Sequence, residues 1–241
     1  MAVSGGGTRT ETRTGYNAPM GRLIDPEKRE RAKGQRVERK ARILKVARSI
    51  FSRLPFVEVT LDSIGQGANV DRGVASMFFR SKEELFLRVL RKELDDWYSA
   101  LETELDCAED GLSQSELSEL LARSLSGRPE LRRFLSFEAV VLEQNLDAME
   151  TFRFQRWRCD RMVEVGAILA QQVDGFEGGD AMRLLHRIQL LTAALAPAAD
   201  PKGAASYEVG DPDFAIFAVD FEAELKSFIL GMLNAGVKGY E

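Results

Sequence analysis

Few residues of this 241-residue chain have the types and spacing that bond-making chemistry needs. A hydrolytic triad uses histidine as its base. The sole histidine, His186, lies in the apolar run MRLLHRIQLL, where a half-buried or pocket-lining ring is the expectation. Cys107 and Cys159 are far apart and form no C-x-x-C pair, so they suit neither a metal site nor a disulfide scaffold. Asp95 and Asp96 are neighbours on a helical stretch and read as a solvated surface. Gly5–Gly7 and Gly178–Gly179 lack the G-x-x-x-x-G-K order of a phosphate-cradling loop. No cofactor and no metal are expected. What remains is the stretch 60–82, TLDSIGQGANVDRGVASMFFRSK. Arg72 can pair bidentately with a guanine edge, Gly73 permits close approach, and Ser76 offers a short hydroxyl. These are groups suited to lying against base edges and phosphates.

Such groups work only if an element presents them together. Val37, Ile43, Leu44, Ala47, Ile50, Phe51 and Leu54 recur at three- and four-residue spacing, which predicts a first helix from Arg36 to the stop at Pro55. Thr60 is a good N-cap for a short second helix whose inward residues are Leu61 and Ile64. Asn69 suits a left-handed turn position, and Val70 follows as a buried plug. Asp71 caps a third helix, 72–79, with Val74 or Ala75 and Phe79 facing inward. Two short helices joined by a turn of small residues make a helix-turn-helix, whose second helix can enter the major groove. Ser81 caps a long fourth helix reaching Leu105, with Glu83 and Glu84 in its first turn. Further helices are expected over 113–125, 129–146, 148–173, 180–196 (closed by Pro197) and 212–235, with a loop at 198–211. No strand alternation is present. The fold class is all-α.

Charge is unevenly divided. Residues 1–92 hold 20 Lys+Arg against 10 Asp+Glu, whereas residues 93–241 hold 13 against 28. A basic front points to a polyanion. A helical interaction protein that binds an acidic partner or surface is the alternative, and an all-α enzyme is a remote third reading. No apolar run approaches a bilayer span and the first residues lack a secretory core, so a cytoplasmic location is expected. Residues 1–35, rich in Gly, Thr and Arg, read as a flexible basic arm that gains a helical turn after Pro26.

The order of these features resembles the DNA-binding domain of TetR-type transcription regulators. The shared pattern is Ile43-Leu44, Ala47 and Phe51 in the first helix, Phe56 after it, Thr60 and Ile64, Ala68 and Val70 in the turn, then Phe79, Ser81, Lys82 and Glu83. Three positions depart from the usual pattern: Asn69 and Pro55 where glycine is common, and Ser76 where an aromatic residue is common. The resemblance implies a DNA-binding domain over 36–94 and a helical ligand-binding and dimerisation domain over 95–241. It implies that Thr60 and Lys82 contact phosphate, and that Arg72 contacts a base edge or phosphate, beside Gly73 and Ser76. Met77 and Phe78 either meet thymine methyls or belong to the core. The implied partners are double-stranded operator DNA, a second copy of the chain and a small-molecule effector.

For a largely apolar effector the wall candidates are Phe134, Phe137, Trp157 and Met162, and the polar handles Glu138, His186 and Gln189. A buried Glu138 would favour a cationic or hydroxyl-bearing ligand. The last two helices have rich apolar faces, so Leu184, Leu191, Leu195, Phe217, Phe221 and Phe228 are the expected centre of a dimer interface.

Overall fold

Hydroxyl and carboxylate caps set where most of the helices begin. The computed structural model describes residues 26–108, 111–143, 146–173, 176–201 and 212–237. Among these, helix α1 spans Pro26–Arg53, α2 Leu61–Gly67, α3 Arg72–Phe78, α4 Lys82–Asp106 and α5 Gln114–Ser126. Then come α6 Pro129–Glu143, α7 Ala148–Gln171, α8 Gly178–Ala199 and α9 Phe221–Ala235. No strand occurs among the described residues. Ser81 Oγ accepts from Glu84 N at 3.1 Å to start α4. Ser113 and Glu116 form a reciprocal capping box at α5, and Asp147 and Asp220 cap α7 and α9.

Three boundaries differ from the sequence reading. The segment 26–35, expected to lie in a flexible arm, is helical from Pro26; residues 1–25 lie outside the described residues. Proline suits the first helical position, and the Glu27–Arg31 and Glu30–Lys33 pairs, at 3.5 and 3.9 Å, support an exposed helix. Pro197 does not close α8 but sits within its last turn, where little of the helix remains to be interrupted. Helix α9 begins at Phe221, because Asp220 caps it there; Pro212–Phe217 forms a separate 3-10 turn. Most of the expected 198–211 loop lies outside the described residues.

The chain divides into two compact units, Met1–Val37 and Glu38–Glu241. Within the first, every described side chain from Glu27 to Val37 is exposed. Within the second, α4 is the spine. Its Leu85, Phe86, Leu90, Leu94, Trp97, Leu101 and Leu105 are fully buried. Helices α6 and α7 pack on α4, α8 packs on α6 and α7, and α9 packs on α5. A chain of rings runs Phe56–Phe51–Phe86–Phe134, with centroids 5.7, 5.2 and 5.8 Å apart. Each buried ring contributes about 1.5–3 kcal/mol. This chain joins the helix-turn-helix side of the unit to α6 in one core. Arg133 of α6 adds a polar tie: Nε donates to Phe51 O and a terminal nitrogen to Leu54 O, both at 3.0 Å. Those carbonyls end α1 and lack helical partners.

Candidate nucleic-acid interface

The turn between α2 and α3 has the close crossing that its small residues predict. Thr60 Oγ1 accepts from Ser63 N at 3.1 Å, and Ser63 Oγ accepts from Thr60 N at 3.3 Å. Asn69 takes φ 52°, and Val70 N returns to Gly65 O at 3.0 Å. A Cβ on Gly65 would stand 3.2 Å from Val70 O, and one on Gly67 only 2.8 Å from Val46 Cγ1. Glycine is what lets α2 lie this close to the turn and to α1. Val70 is half-buried rather than fully enclosed. Asp71 occupies the N-cap position of α3 but its side chain makes no capping bond; only its carbonyl serves the helix.

Helix α3 has two faces. Ala75 and, just past the helix, Phe79 are buried at 0% and 1% exposure. Gly73, Ser76 and Met77 are exposed, Met77 at 78%. Phe78 packs half-buried against the core, so the choice left open for this pair divides: Met77 faces solvent and Phe78 faces inward. Arg72 opens the helix, and its side chain lies outside the described residues. Thr60 is exposed, and its hydroxyl accepts from Ser63 N while keeping a proton to donate.

Lys82 has a partner within the chain. Its ammonium donates to Phe56 O at 2.9 Å and lies 4.6 Å from the centre of the Phe56 ring. The lysine therefore fastens the start of α4 to the Phe56–Glu58 turn. Two arginines not singled out from the sequence stand next to the turn. Arg39 and Arg42 of α1 line a hollow of about 600 Å3 together with Gln66 of α2 and with Asn69 and Asp71 of the turn. Their three-residue spacing, on the α1 face bearing neither Ile43 nor Ala47, was the available signal.

The expected effector residues do not form one wall. Phe134 is fully buried with its ring edge against Phe86, so it belongs to the core. Phe137 lines a separate hollow with Arg132, Arg133 and Pro197. Trp157 lies under the Arg91 guanidinium at 4.7 Å. Glu138 and Gln189 do come together, but around a group that the sequence reading missed. Arg158, buried on α7, pairs with Glu138 and donates through Nε to Gln189 Oε1 at 3.0 Å. Gln189 Nε2 then donates to Tyr98 Oη at 2.9 Å. The cation that Glu138 was expected to seek in a ligand is thus supplied by its own chain. Arg158 sits at the i+4 position after Phe154 and before Met162, within the apolar stripe of α7, and an arginine there was legible. Burial pushes the Glu138 carboxyl up, with Arg158 opposing, and pushes the Tyr98 phenol up to about 12. His186 is exposed and its imidazole is held below its ordinary value by partial desolvation, then by the charge of Arg158. Arg158, Met162 and His186, with Cys159 and Met182, line a groove of about 360 Å3 between α7 and α8.

The interface candidates also separate. Leu184 and Phe221 are buried within the chain itself, at 0% and 5% exposure, so neither is free to form the centre of an interface. Leu191 and Leu195 are half-buried; Phe217 and Phe228 are exposed. Phe221 points toward α5 and α6, with the Arg132 guanidinium 4.3 Å from its ring centre. Among the described residues no helix is long and apolar enough to cross a membrane.

Residues 43–89 match the family model described as bacterial regulatory proteins, tetR family. Among solved structures, the chain is similar to a TetR-family transcriptional regulator from Mesorhizobium loti, with TM-score 0.53 and 13% identity over 83% of this chain and 97% of that one. It is similar to FadR of Thermus thermophilus, a repressor crystallised with lauroyl-CoA, with TM-score 0.52 and 19% identity over 84% and 96%. It is also similar to the fatty acid degradation regulator FadR of Bacillus halodurans, with TM-score 0.51 and 10% identity over 80% and 93%. Identities this low speak for the fold. No curated protein matches the chain. Residues 91–238, more than half of the chain, match the model described as tetracyclin repressor-like, C-terminal domain, and with the helix-turn-helix ahead of them the chain belongs to the TetR family of transcriptional regulators.

Proposed function

We propose that this regulator is a homodimeric repressor that reads a near-palindromic operator through α3 and leaves it when a small, largely apolar effector binds. The observation that carries the DNA reading is the exposed face of α3, where Gly73, Ser76 and Met77 stand clear of the core, as Thr60 does at the start of α2. Arg39 and Arg42 add cations next to the turn. Two recognition helices on one face of a duplex sit roughly 34 Å apart or somewhat more. Affinity falls with salt, because phosphate contacts release counterions. The test is selection of duplexes from a random pool, followed by fluorescence anisotropy. Enrichment of a two-fold symmetric site is expected, and Arg72→Ala should cost about 1–3 kcal/mol and relax one position. A pool that enriches no sequence refutes the reading.

Dimerisation is assigned to the outer faces of α7 and α8. These helices lie side by side, and Phe152, Val163 and Leu190 stand exposed on them at 63%, 52% and 56%. The exposed face of α9 carries Phe228 beside Glu224, Ser227 and Gly231, a single large apolar side chain against the three on α7 and α8. The effector reading rests on the cluster of Arg158, Glu138, Gln189 and Tyr98 and on the groove beside it. An apolar molecule with a carbonyl or carboxylate end would accept from Arg158, as the acyl thioester bound by the Thermus thermophilus repressor offers such an end. Thermal-shift measurements with fatty acids and acyl thioesters check this. A compound that stabilises the protein must also release the selected DNA; stabilisation that leaves DNA bound removes the effector role, since a ligand shifts only states it prefers.

A further inference from the structure

The face of α1 that carries Arg39 and Arg42 is not its only functional face. On the opposite side of the same helix, Lys40, Leu44 and Lys45 look onto α4 across a hollow of about 620 Å3, a volume typical of small-molecule sites. Seven Lys or Arg residues line it against three carboxylates. All three carboxylates are already engaged: Glu93 by Arg48, Asp96 by Lys92, and Asp95 by Arg161 from outside the hollow. Arg88 is held by Glu84 and Glu150. Among the described residues, Lys40, Lys45, Arg91 and Arg128 make no ion pair. Leu44 and Val89 supply an apolar floor between these charges.

We propose that this hollow binds a small amphipathic anion, an apolar body carrying at least one phosphate, sulfonate or carboxylate group. Four uncompensated cations around one concavity repel one another, and an anion among them relieves that repulsion. The floor of Leu44 and Val89 takes the apolar body, and Arg91, already stacked on Trp157, offers a fixed guanidinium at the rim. A small ligand is favoured over a DNA strand, because the hollow lies on the side of α1 turned away from the α2–α3 turn. The site is separate from the α7–α8 groove and does not depend on the effector reading.

The test titrates the full chain, without DNA, with 8-anilinonaphthalene-1-sulfonate and with N-phenyl-1-naphthylamine, which has a similar aromatic body but no charge. Lys40→Glu with Lys45→Glu reverses two exposed charges at the site. Arg29→Glu with Lys33→Glu makes the same change in net charge at exposed positions elsewhere. Circular dichroism melts establish that each variant folds, and Lys40→Gln with Lys45→Gln replaces the first pair should it not. The expected result is a loss of sulfonate affinity of about tenfold at the Lys40 and Lys45 pair, little change in the control, and weakening with added salt. The uncharged probe should be indifferent to both. Equal sulfonate affinity in wild type and the Lys40 and Lys45 variant overturns the proposal, as does an equal loss in the control. Displacement of the sulfonate by one equivalent of a short duplex also overturns it, by giving the hollow to the DNA backbone.

Discussion

Arg158 and Glu138 illustrate how one side chain's identity depends on another that is distant in sequence. Each lies at a position where its helix otherwise buries apolar residues, and each is tolerable there only because the other is present. Removing one partner strands the other. Glu138→Leu or Arg158→Met alone should therefore cost about 3–5 kcal/mol in urea unfolding, while the double substitution should recover most of the loss. Singles and double that lose stability additively would show that the pair is not coupled. His186 makes a second prediction at this scale. Its folded-state value lies below the unfolded one, so its contribution is present above the ordinary histidine range near 6.5 and is lost as pH falls through the depressed folded value. Compared with His186→Gln, the wild type should lose stability on acidification below about pH 6.5; parallel curves would show that the imidazole titrates normally. Both acid and base of the cluster were legible as charges within apolar stripes. Their pairing was not, because Arg158 and Glu138 meet only through the packing of α6 and α7.

At the scale of elements, local chemistry was read most faithfully. Thr60, Ser81 and Asn69 act where the sequence placed them, since caps and turns depend on neighbours a few residues away. The α1 start was missed because a charged segment without apolar residues resembles an unstructured one, whereas Lys, Arg and Glu are good helix formers. The internal partner of Lys82 was not legible, because the Phe56 carbonyl belongs to another element. The contact of Gly67 with α1 gives a direct check. Gly67→Ala would place a methyl 2.8 Å from Val46 Cγ1, and valine in a helix has little rotamer freedom to retreat. The substitution should cost about 1–3 kcal/mol by thermal unfolding, and adding Val46→Ala should relieve it. A neutral Gly67→Ala would mean that α1 and α2 part easily.

For the whole molecule, the interface proposed on α7 and α8 and the buried residues of α9 give separate tests of assembly and of folding. Phe152→Glu with Leu190→Glu should give a folded monomer by light scattering and circular dichroism, because a two-fold interface is struck twice by each change. Phe221→Glu should instead lower thermal stability, since its ring is buried inside one chain. A dimer that survives the first pair of changes would move the interface away from α7 and α8. The bond between Arg133 and the end of α1 bears on a different matter, the exchange of DNA readers between regulators. Arg133 grips the carbonyls of Phe51 and Leu54 and no side chain of that helix, so the joint is indifferent to the residues that stand there. A foreign helix-turn-helix grafted onto this C-terminal half keeps the joint whenever its first helix ends at the same length. One residue inserted into that helix turns its last carbonyls by about 100° and opens the joint, whatever the grafted sequence.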